Sequence, residues 1–168
     1  REIVAISFHT TDAYGFHALE FAQALAEQRH GGETGIRAVQ AFAGEAVWRE
    51  FDDRALDVEL FNAAGERLSH TAVPLDNPRE RGKNPRLLRM EYMDGLRVHV
   101  VELNEIVYEW SGAWRYEDGS SLSSLFWTQE ARPGMHFTYL LNGIERMMLT
   151  GKASWNAERT LLTSGALD

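Results

Sequence analysis

Apolar and polar positions in the first part of the chain predict a strand followed by a helix. Residues 2 to 8 form a short, partly β-branched apolar run that is typical of a strand. The helix has apolar residues at the spacing of one helical face: Ala18, Phe21, Ala22 and Leu25. We expect Asp12 to be the N-cap of this helix and Gly31 and Gly32 to end it. His17 then lies in the first helical turn.

The second half of the chain has the period of two that is typical of antiparallel strands. Residues 87 to 92 and 96 to 100 flank Asp94-Gly95, a dipeptide suited to a two-residue turn, and predict a hairpin. Residues 106 to 111 and 122 to 128 predict two further strands. The helical stripe that follows ends before Gly151 and consists of Phe137, Leu140, Leu141, Ile144, Met147 and Met148. We expect a last helix from about Ala157.

The complete pattern predicts a two-layer α+β fold. Residues 36 to 42 predict a strand, residues 45 to 62 one broken or two short helices, and residues 64 to 84 a long surface excursion. One mainly antiparallel sheet with helices on one face buries these patterns economically.

Several aromatic residues either fill the core of this fold or mark a partner surface on the uncovered sheet face. These residues are Tyr108, Trp110, Trp114, Phe126 and Trp127. If they mark a partner surface, we expect Trp110 and Trp114 to be the buried anchors of a homo-oligomer.

Composition and charge narrow the classes of function. The 168 residues suffice for one domain, and a net charge of −8 argues against nucleic acid or an anionic membrane as the main partner. No apolar run approaches the roughly 18 residues of a membrane span. The absence of cysteine excludes disulfides and thiolate catalysis and is compatible with the cytoplasm. The chain lacks an initiator Met, so we expect it to be a piece of a longer polypeptide.

His17 is the strongest candidate for chemistry. Unpaired N–H groups and the positive dipole end at a helix N-terminus disfavour protonation of an imidazole, so we expect a neutral ring that can accept a proton. A packed or capping histidine explains the same position without catalysis. His9 and His17 also flank Asp12, and the three side chains could instead supply ligands to a divalent metal.

Phosphate-binding signals in this chain are weak. Gly31, Gly32 and Gly35 form a glycine run, but it follows a helix, whereas the phosphate-binding turns of dinucleotide domains follow a strand. A local basic run suits either an anionic ligand or a solvated loop, and consists of Arg79, Arg81, Lys83, Arg86 and Arg89. We therefore expect that this chain alone binds no nicotinamide cofactor.

Four regions of the sequence carry a resemblance to a known family: AYGFHALE (13–20), GGETG (31–35), GEAVW (44–48) and parts of residues 136–163. They resemble the C-terminal domain of oxidoreductases related to the Gfo/Idh/MocA family, which includes glucose-fructose oxidoreductase and inositol dehydrogenase. The resemblance covers nearly the whole chain. It implies that residues 1–168 are a domain that binds substrate and dimerises through its open sheet face. It also implies an N-terminal Rossmann domain, outside this chain, that holds NAD or NADP and a catalytic lysine.

The family's D-x-G-x-H motif supplies a histidine near the nicotinamide and the substrate hydroxyl. Gly15 and His17 match this motif, whereas Ala13 occupies the Asp position and Asp12 lies one residue too early. The resemblance therefore implies a catalytic role for His17 and leaves the position of the partner acid altered.

The predicted site consists of His17 and Asp12 as catalytic residues and Tyr14 and His9 as substrate-binding residues. The predicted function is the substrate-binding and dimerisation domain of an NAD(P)-dependent oxidoreductase-like protein that acts on a sugar or polyol. Two alternatives stay open, a non-catalytic oligomerisation module and a metal-assisted lyase or isomerase.

Overall fold

The computed structural model describes residues 1–69, 75, 77–126 and 135–168, with residues 12, 135 and 136 described by their backbone only. The described strands are β1 (Glu2–Ser7), β2 (Ile36–Ala43), β3 (Arg86–Tyr92), β4 (Arg97–Glu102), β5 (Trp110–Arg115) and β6 (Ser121–Phe126). The described helices are α1 (Phe16–Glu27), α2 (Glu45–Asp52), α3 (Val58–Gly65), α4 (Pro78–Arg81), α5 (Met135–Thr150) and α6 (Ala157–Gly165). A π-helical turn at Thr11–Gly15 leads into α1.

The six strands form one sheet in the order β2-β3-β4-β1-β5-β6. β1 runs parallel to β4, and the other neighbouring pairs are antiparallel. Ile3 of β1 pairs with Val98 on one side and with Trp114 on the other, so the strand that opens the chain lies inside the sheet. The predicted α+β class and the mainly antiparallel sheet are confirmed.

Helices cover both faces of this sheet, which corrects the expected arrangement of helices on one face. The first core joins α1 and α6 to one face and includes Ile3, Ala5, Leu19, Val98, Val100 and Ala166. The second core joins α2 and α3 to the opposite face and includes Val4, Ile6, Val47, Leu60, Val101 and Ala113. The physical reason is visible in β1, because an uninterrupted Ile3-Val4-Ala5-Ile6 run is buried on both sides, as in a parallel pair.

The start of α1 differs from the prediction. Gly15, not Asp12, occupies the N-cap position, and no side chain that the structure describes caps the helix. The π-helical turn at Thr11–Gly15 contains Asp12 and leads directly into α1. His17 is therefore the second residue of α1 but already has a helical turn before it. The helix also ends earlier than predicted, at Glu27 with Gln28 as the C-cap, and Gly31 and Gly32, both with positive φ, lie in the turn that follows.

The hairpin around Asp94-Gly95 is confirmed, with β3 and β4 paired and Gly95 at φ +84°. The third predicted strand is displaced along the chain, because Ile106 lies in a turn, Val107 forms only an isolated bridge, both are buried in the second core, and β5 begins at Trp110. β6 ends at Phe126, and residues 127 and 128 of the fourth predicted strand lie outside the described residues. Residues 45 to 62 contain two helices, as one of the two alternatives predicted.

The predicted excursion at residues 64 to 84 contains the end of α3 and the short helix α4. Residues 70–74 and 76 of this excursion lie outside the described residues. No helix within the described ranges is long and apolar enough to cross a membrane.

α6 is attached to α1 by two polar contacts. The Arg159 guanidinium forms a 2.6 Å ion pair with Glu27, and the Thr163 hydroxyl donates a 3.1 Å hydrogen bond to Glu20. The hydrogen bond from Arg159 holds the pKa of Glu27 below its ordinary value. α5 differs, because most of its apolar stripe is exposed, namely Phe137, Leu140, Leu141 and Met148, and its neighbours Tyr139 and Leu149 are exposed as well.

Candidate functional site

The candidate site lies where β1 ends and the chain turns into α1. Ser7, the last residue of β1, pairs with Glu102, the last residue of the parallel strand β4. The carboxyl ends of two parallel strands and the loop that carries most of the predicted site residues therefore meet at one edge of the sheet. Ligands of α/β sheets commonly bind outside such carboxyl ends. We call the group His9, Tyr14, His17, Trp110 and Glu102 the β1–α1 site.

Three of the four predicted site residues come together here. The ring centroids of His9 and Tyr14 are 4.8 Å apart, and those of Tyr14 and His17 are 6.0 Å apart. His9 is exposed, whereas Tyr14 and His17 are half-buried. Asp12 lies in the π-helical turn between them, but its side chain lies outside the described residues. The catalytic and substrate-binding roles of all four stay predictions.

His9 has a left-handed backbone, with φ +67°. This region is uncommon for residues other than glycine, and it costs free energy that the surrounding structure must supply. The conformation turns the chain out of β1 and towards the π-helical turn. Functional sites are enriched in such backbone conformations.

Trp110 of β5 forms the floor of the β1–α1 site. The Tyr14 ring stacks on its indole at 5.3 Å with an interplanar angle of 15°, and the His17 ring meets it edge-on at 5.4 Å. Phe8 packs on another part of the indole, with ring centroids 4.6 Å apart. Trp110 is thus the residue that aligns the two predicted site rings.

The position of Trp110 shows which of the two interpretations, core filling or a partner surface, applies to the aromatic residues on β5 and β6. Trp110 is 7% exposed in the first core, and Trp114 and Phe126 pack against the same core. They fill the space beneath α1, so Trp110 is not an exposed dimer anchor. Tyr108 is the exception, being 56% exposed, and Trp127 lies outside the described residues.

Two buried polar groups at this edge have no hydrogen-bond partner in the described residues. They are the Ser7 hydroxyl and the indole Nε1–H of Trp110. Ser7 continues the alternation of Ile3 and Ala5, which places its side chain on the α1 face. Buried polar groups in native proteins nearly always have a partner, so these two indicate a place where water or a ligand completes the site.

Sequence analysis missed Glu102, although it is the most buried acid of the site, at 1% exposure. The Thr11 hydroxyl donates a 2.8 Å hydrogen bond to its carboxylate, and Arg86 donates a 3.1 Å hydrogen bond to that same hydroxyl. The sequence signal that could have identified Glu102 is its position as an acid directly after Val100 and Val101 at the end of a predicted strand. Without the parallel pairing of β1 and β4, nothing connected this acid to the loop.

The basic run does not form one anion site. Arg79 pairs with Glu45 and Asp52 on α2, at a distance from the β1–α1 site along the chain. Lys83 pairs with Glu105, and Arg89 pairs with Glu50 at 2.5 Å. Within the described residues, Arg86 is the member of the run that contacts the site, through Thr11.

The start of α1 does not fit a dinucleotide phosphate. A helix that follows a central strand is where such a phosphate binds in Rossmann domains. Here a Glu102 side-chain oxygen lies 2.9 Å from where a Cβ on Gly15 would be, so the helix start already faces an acidic side chain. The described residues at the start of α1 therefore do not match the phosphate-binding part of NAD or NADP.

No set of three or more His, Asp, Glu or Cys side chains with metal-site spacing occurs in the described part of the chain. The predicted alternative of His9, Asp12 and His17 depends on the Asp12 side chain, which that part does not include.

A second buried ionisable cluster lies on the opposite face of the sheet. His99 is fully buried, and its Nδ1 lies 3.1 Å from the Glu2 carboxylate, which also accepts a 2.8 Å hydrogen bond from the backbone N–H of Asp57. Burial raises the pKa of Glu2, but the contacts with His99, the Asp57 backbone and Arg97 outweigh it and leave the pKa below its ordinary value. These groups connect β1 and β4 to the start of α3, and their burial gives them a structural role.

The chain was compared with protein-family models, curated proteins and solved structures. No family model matches it, and no curated protein or solved structure matches it.

Proposed function

We propose that this chain is the substrate-binding and dimerisation domain of an NAD(P)-dependent oxidoreductase-like protein that acts on a sugar or polyol. The observation that carries the proposal is the convergence of His9, Tyr14 and His17 over Trp110 at the carboxyl end of β1. The sequence resemblance assigns the catalytic histidine to one of these three residues, and the other two provide polar groups beside it.

His17 is the proposed proton acceptor for the substrate hydroxyl. Its ring is half-buried and held against the indole of Trp110, so its orientation is restricted before a substrate arrives. Tyr14 and His9 are the proposed substrate contacts, since His9 is exposed and its ring lies 4.8 Å from that of Tyr14 in the same cluster. Sugars present apolar C–H faces as well as hydroxyls, and an aromatic surface with polar edges suits both.

NAD or NADP, held mainly by a separate N-terminal domain, is the proposed acceptor of hydride from the carbinol carbon. The acidic side chain of Glu102 supports this division, because it occupies space at the start of α1 where a phosphate would otherwise bind. We also propose that the protein is cytoplasmic.

Self-association through the open part of the sheet remains part of the proposal. The outer strand β2 leaves Val39, Ala41 and Ala43 exposed on the α1 face, beyond the reach of α1. The opposite outer strand, β6, leaves Leu122 exposed. With Trp110 buried in the core, these outer strands are the sheet surface that remains for a second copy.

One observation favours a non-catalytic oligomerisation module instead. The apolar stripe of α5 is exposed along most of its length, and large exposed apolar patches commonly mark interaction surfaces. A module of this kind needs no chemistry at the β1–α1 site.

The substitution His17→Ala separates these two functions. In the full-length protein, assayed with NAD⁺ and NADP⁺ against a panel of sugars and polyols, we expect kcat/KM to fall by about 10² to 10⁴, the usual contribution of a positioned general base. His30→Ala is the matched control, because His30 is an exposed histidine just beyond the other end of the same helix. The activity of the His30→Ala protein should stay at the wild-type level. Full activity of the His17→Ala protein would refute the catalytic role and favour the module.

A further inference from the structure

Glu102 is a buried carboxylate that binds the first residue of the π-helical turn and lies close to the last. At the first end, Thr11 donates its hydroxyl hydrogen bond at 2.8 Å. At the second end, one carboxylate oxygen lies 2.9 Å from the position of a Cβ on Gly15. Burial of a polar group is costly unless it is hydrogen-bonded, so a 1% exposed acid at this place needs the hydrogen bond that the turn supplies.

The backbone at Gly15 does not require glycine. Its φ of −58° and ψ of −36° are ordinary helical values that every residue except proline adopts readily. Alanine is the better helix former, so intrinsic helix propensity favours replacement of Gly15. What opposes a side chain here is space, because a methyl group would meet the Glu102 carboxylate at 2.9 Å and Thr11 Cγ2 at 3.2 Å.

We propose that Glu102 is a positioning residue of the β1–α1 site and that Gly15 is a glycine in order to admit its carboxylate. By binding Thr11 at one end of the turn and filling the space beside Gly15 at the other, Glu102 fixes the direction in which Tyr14 and His17 leave the turn. The significance for catalysis rests on the proposed function, whereas the attachment of the turn to β4 does not.

A double-mutant cycle tests the attachment. Gly15→Ala should lower the thermal midpoint of wild type, because its methyl group meets the carboxylate. In the Glu102→Ala background the same substitution should raise the midpoint or leave it unchanged, since the methyl group enters vacated space and alanine favours the helix. Gly65→Ala at the end of α3 is the control, because its Cβ would meet Leu75 and not Glu102, and it should give the same change in both backgrounds.

Equal effects of Gly15→Ala in the two backgrounds would overturn the proposal. If Glu102→Ala fails to fold, Glu102→Gln and Thr11→Val replace it, because glutamine keeps the acceptor oxygen and valine removes only the hydroxyl. Glu102→Gln should then retain most of the wild-type midpoint, while Thr11→Val lowers it. Equal midpoints for Thr11→Val and wild type would also count against the attachment.

A site readout distinguishes positioning from general stabilisation. The Trp110 indole lies 5.4 Å from the His17 ring, so its ring current shifts the NMR signals of the His17 ring protons. Glu102→Ala and Thr11→Val should change these signals at temperatures where the protein is fully folded, whereas Gly65→Ala should not. Unchanged His17 signals in both site variants would overturn the positioning role. If the double-mutant cycle gives the expected background-dependent effect but the His17→Ala protein is fully active, the proposed function is refuted and the attachment of the turn to β4 still holds.

Discussion

α1 and α5 both have regular apolar stripes, but the two helices lie in opposite environments. Leu19 of α1 is 1% exposed against the sheet, whereas Met148 of α5 is 82% exposed. α1 is also held at its end, where Arg29 donates a hydrogen bond to Asp94 of the β3–β4 turn. α5 packs on the segment that follows it, with Gly143 against Trp155. The comparison shows that helical spacing identifies the apolar face of a helix but not the surface, if any, against which that face packs.

The largest difference between the two helices is expected from truncation of their apolar residues. Leu19→Ala should lower the free energy of unfolding by about 2–5 kcal/mol, because it leaves a cavity in the first core. Met148→Ala should change it by less than about 0.5 kcal/mol, since the side chain is already in solvent. Urea unfolding followed by circular dichroism measures both. A Met148→Ala effect as large as that of Leu19→Ala would mean that α5 is covered in solution.

Two close-packed glycines, Gly112 beside α1 and Gly143 in α5, give a second, smaller contrast between the two regions. A Cβ on Gly112 would lie 2.1 Å from the Phe21 ring of α1, and a Cβ on Gly143 would lie 2.4 Å from Trp155. Gly112→Ala should cost about 1–3 kcal/mol of stability, because Phe21 must leave its place between α1 and the sheet.

Gly143→Ala should displace Trp155 and change tryptophan fluorescence while the midpoint of global unfolding stays within about 1 kcal/mol of wild type, because alanine also favours the helix. Similar losses of stability in both alanine variants would remove the contrast between the two regions.

The smallest expected effect is the pH dependence of the stability that the Arg29–Asp94 ion pair contributes at the end of α1. The hydrogen bond from Arg29 lowers the pKa of Asp94 from 3.8 to about 2. A folded-state pKa below the unfolded value gives stability that is complete above the unfolded pKa, so this contribution should be lost as pH falls from about 4 towards 2. Asp94→Asn should cost about 1 kcal/mol at neutral pH and progressively less as the pH falls from about 4 to 2, measured by urea unfolding across this range.

Glu145→Gln on α5 is the control for this measurement, since Glu145 is an exposed acid on the helix that lacks such an anchor in the described residues. It should leave the pH dependence of stability unchanged. A wild-type and an Asp94→Asn curve that stay parallel down to pH 2 would contradict the role of Asp94.

Local patterns were sufficient for much of the fold. The spacing at residues 18 to 25 predicted α1, and Asp94-Gly95 predicted the β3–β4 hairpin, because both depend on neighbours in sequence. The same local reasoning predicted a strand from Ile106. In the structure Ile106 is a buried turn residue in the second core, and it follows Glu105, which has a left-handed backbone. Burial in a loop gives the same apolar alternation as a strand, so the sequence alone could not separate them.

The candidate site was predictable only within the segment that carries it. His9, Tyr14 and His17 lie close together because they belong to one loop and one turn of helix, and their proximity in sequence indicated this. Glu102 and Trp110 reach the same place from β4 and β5, through pairings that span about a hundred residues of the chain. No local pattern encodes such pairings, which is why the acid and the floor of the site were missed.

The position of β1 has a consequence for the order of folding. The hairpin of β3 and β4 requires only a short loop, whereas β1 must pair with strands that enter the sheet far later in the chain. Closure of long loops slows folding, so we expect insertion of β1 between β4 and β5 to be a late event. Until then the facing edges of β4 and β5 are unpaired and open to association with other chains. The loop of the β1–α1 site follows β1 directly, so it acquires its shape only when the sheet closes.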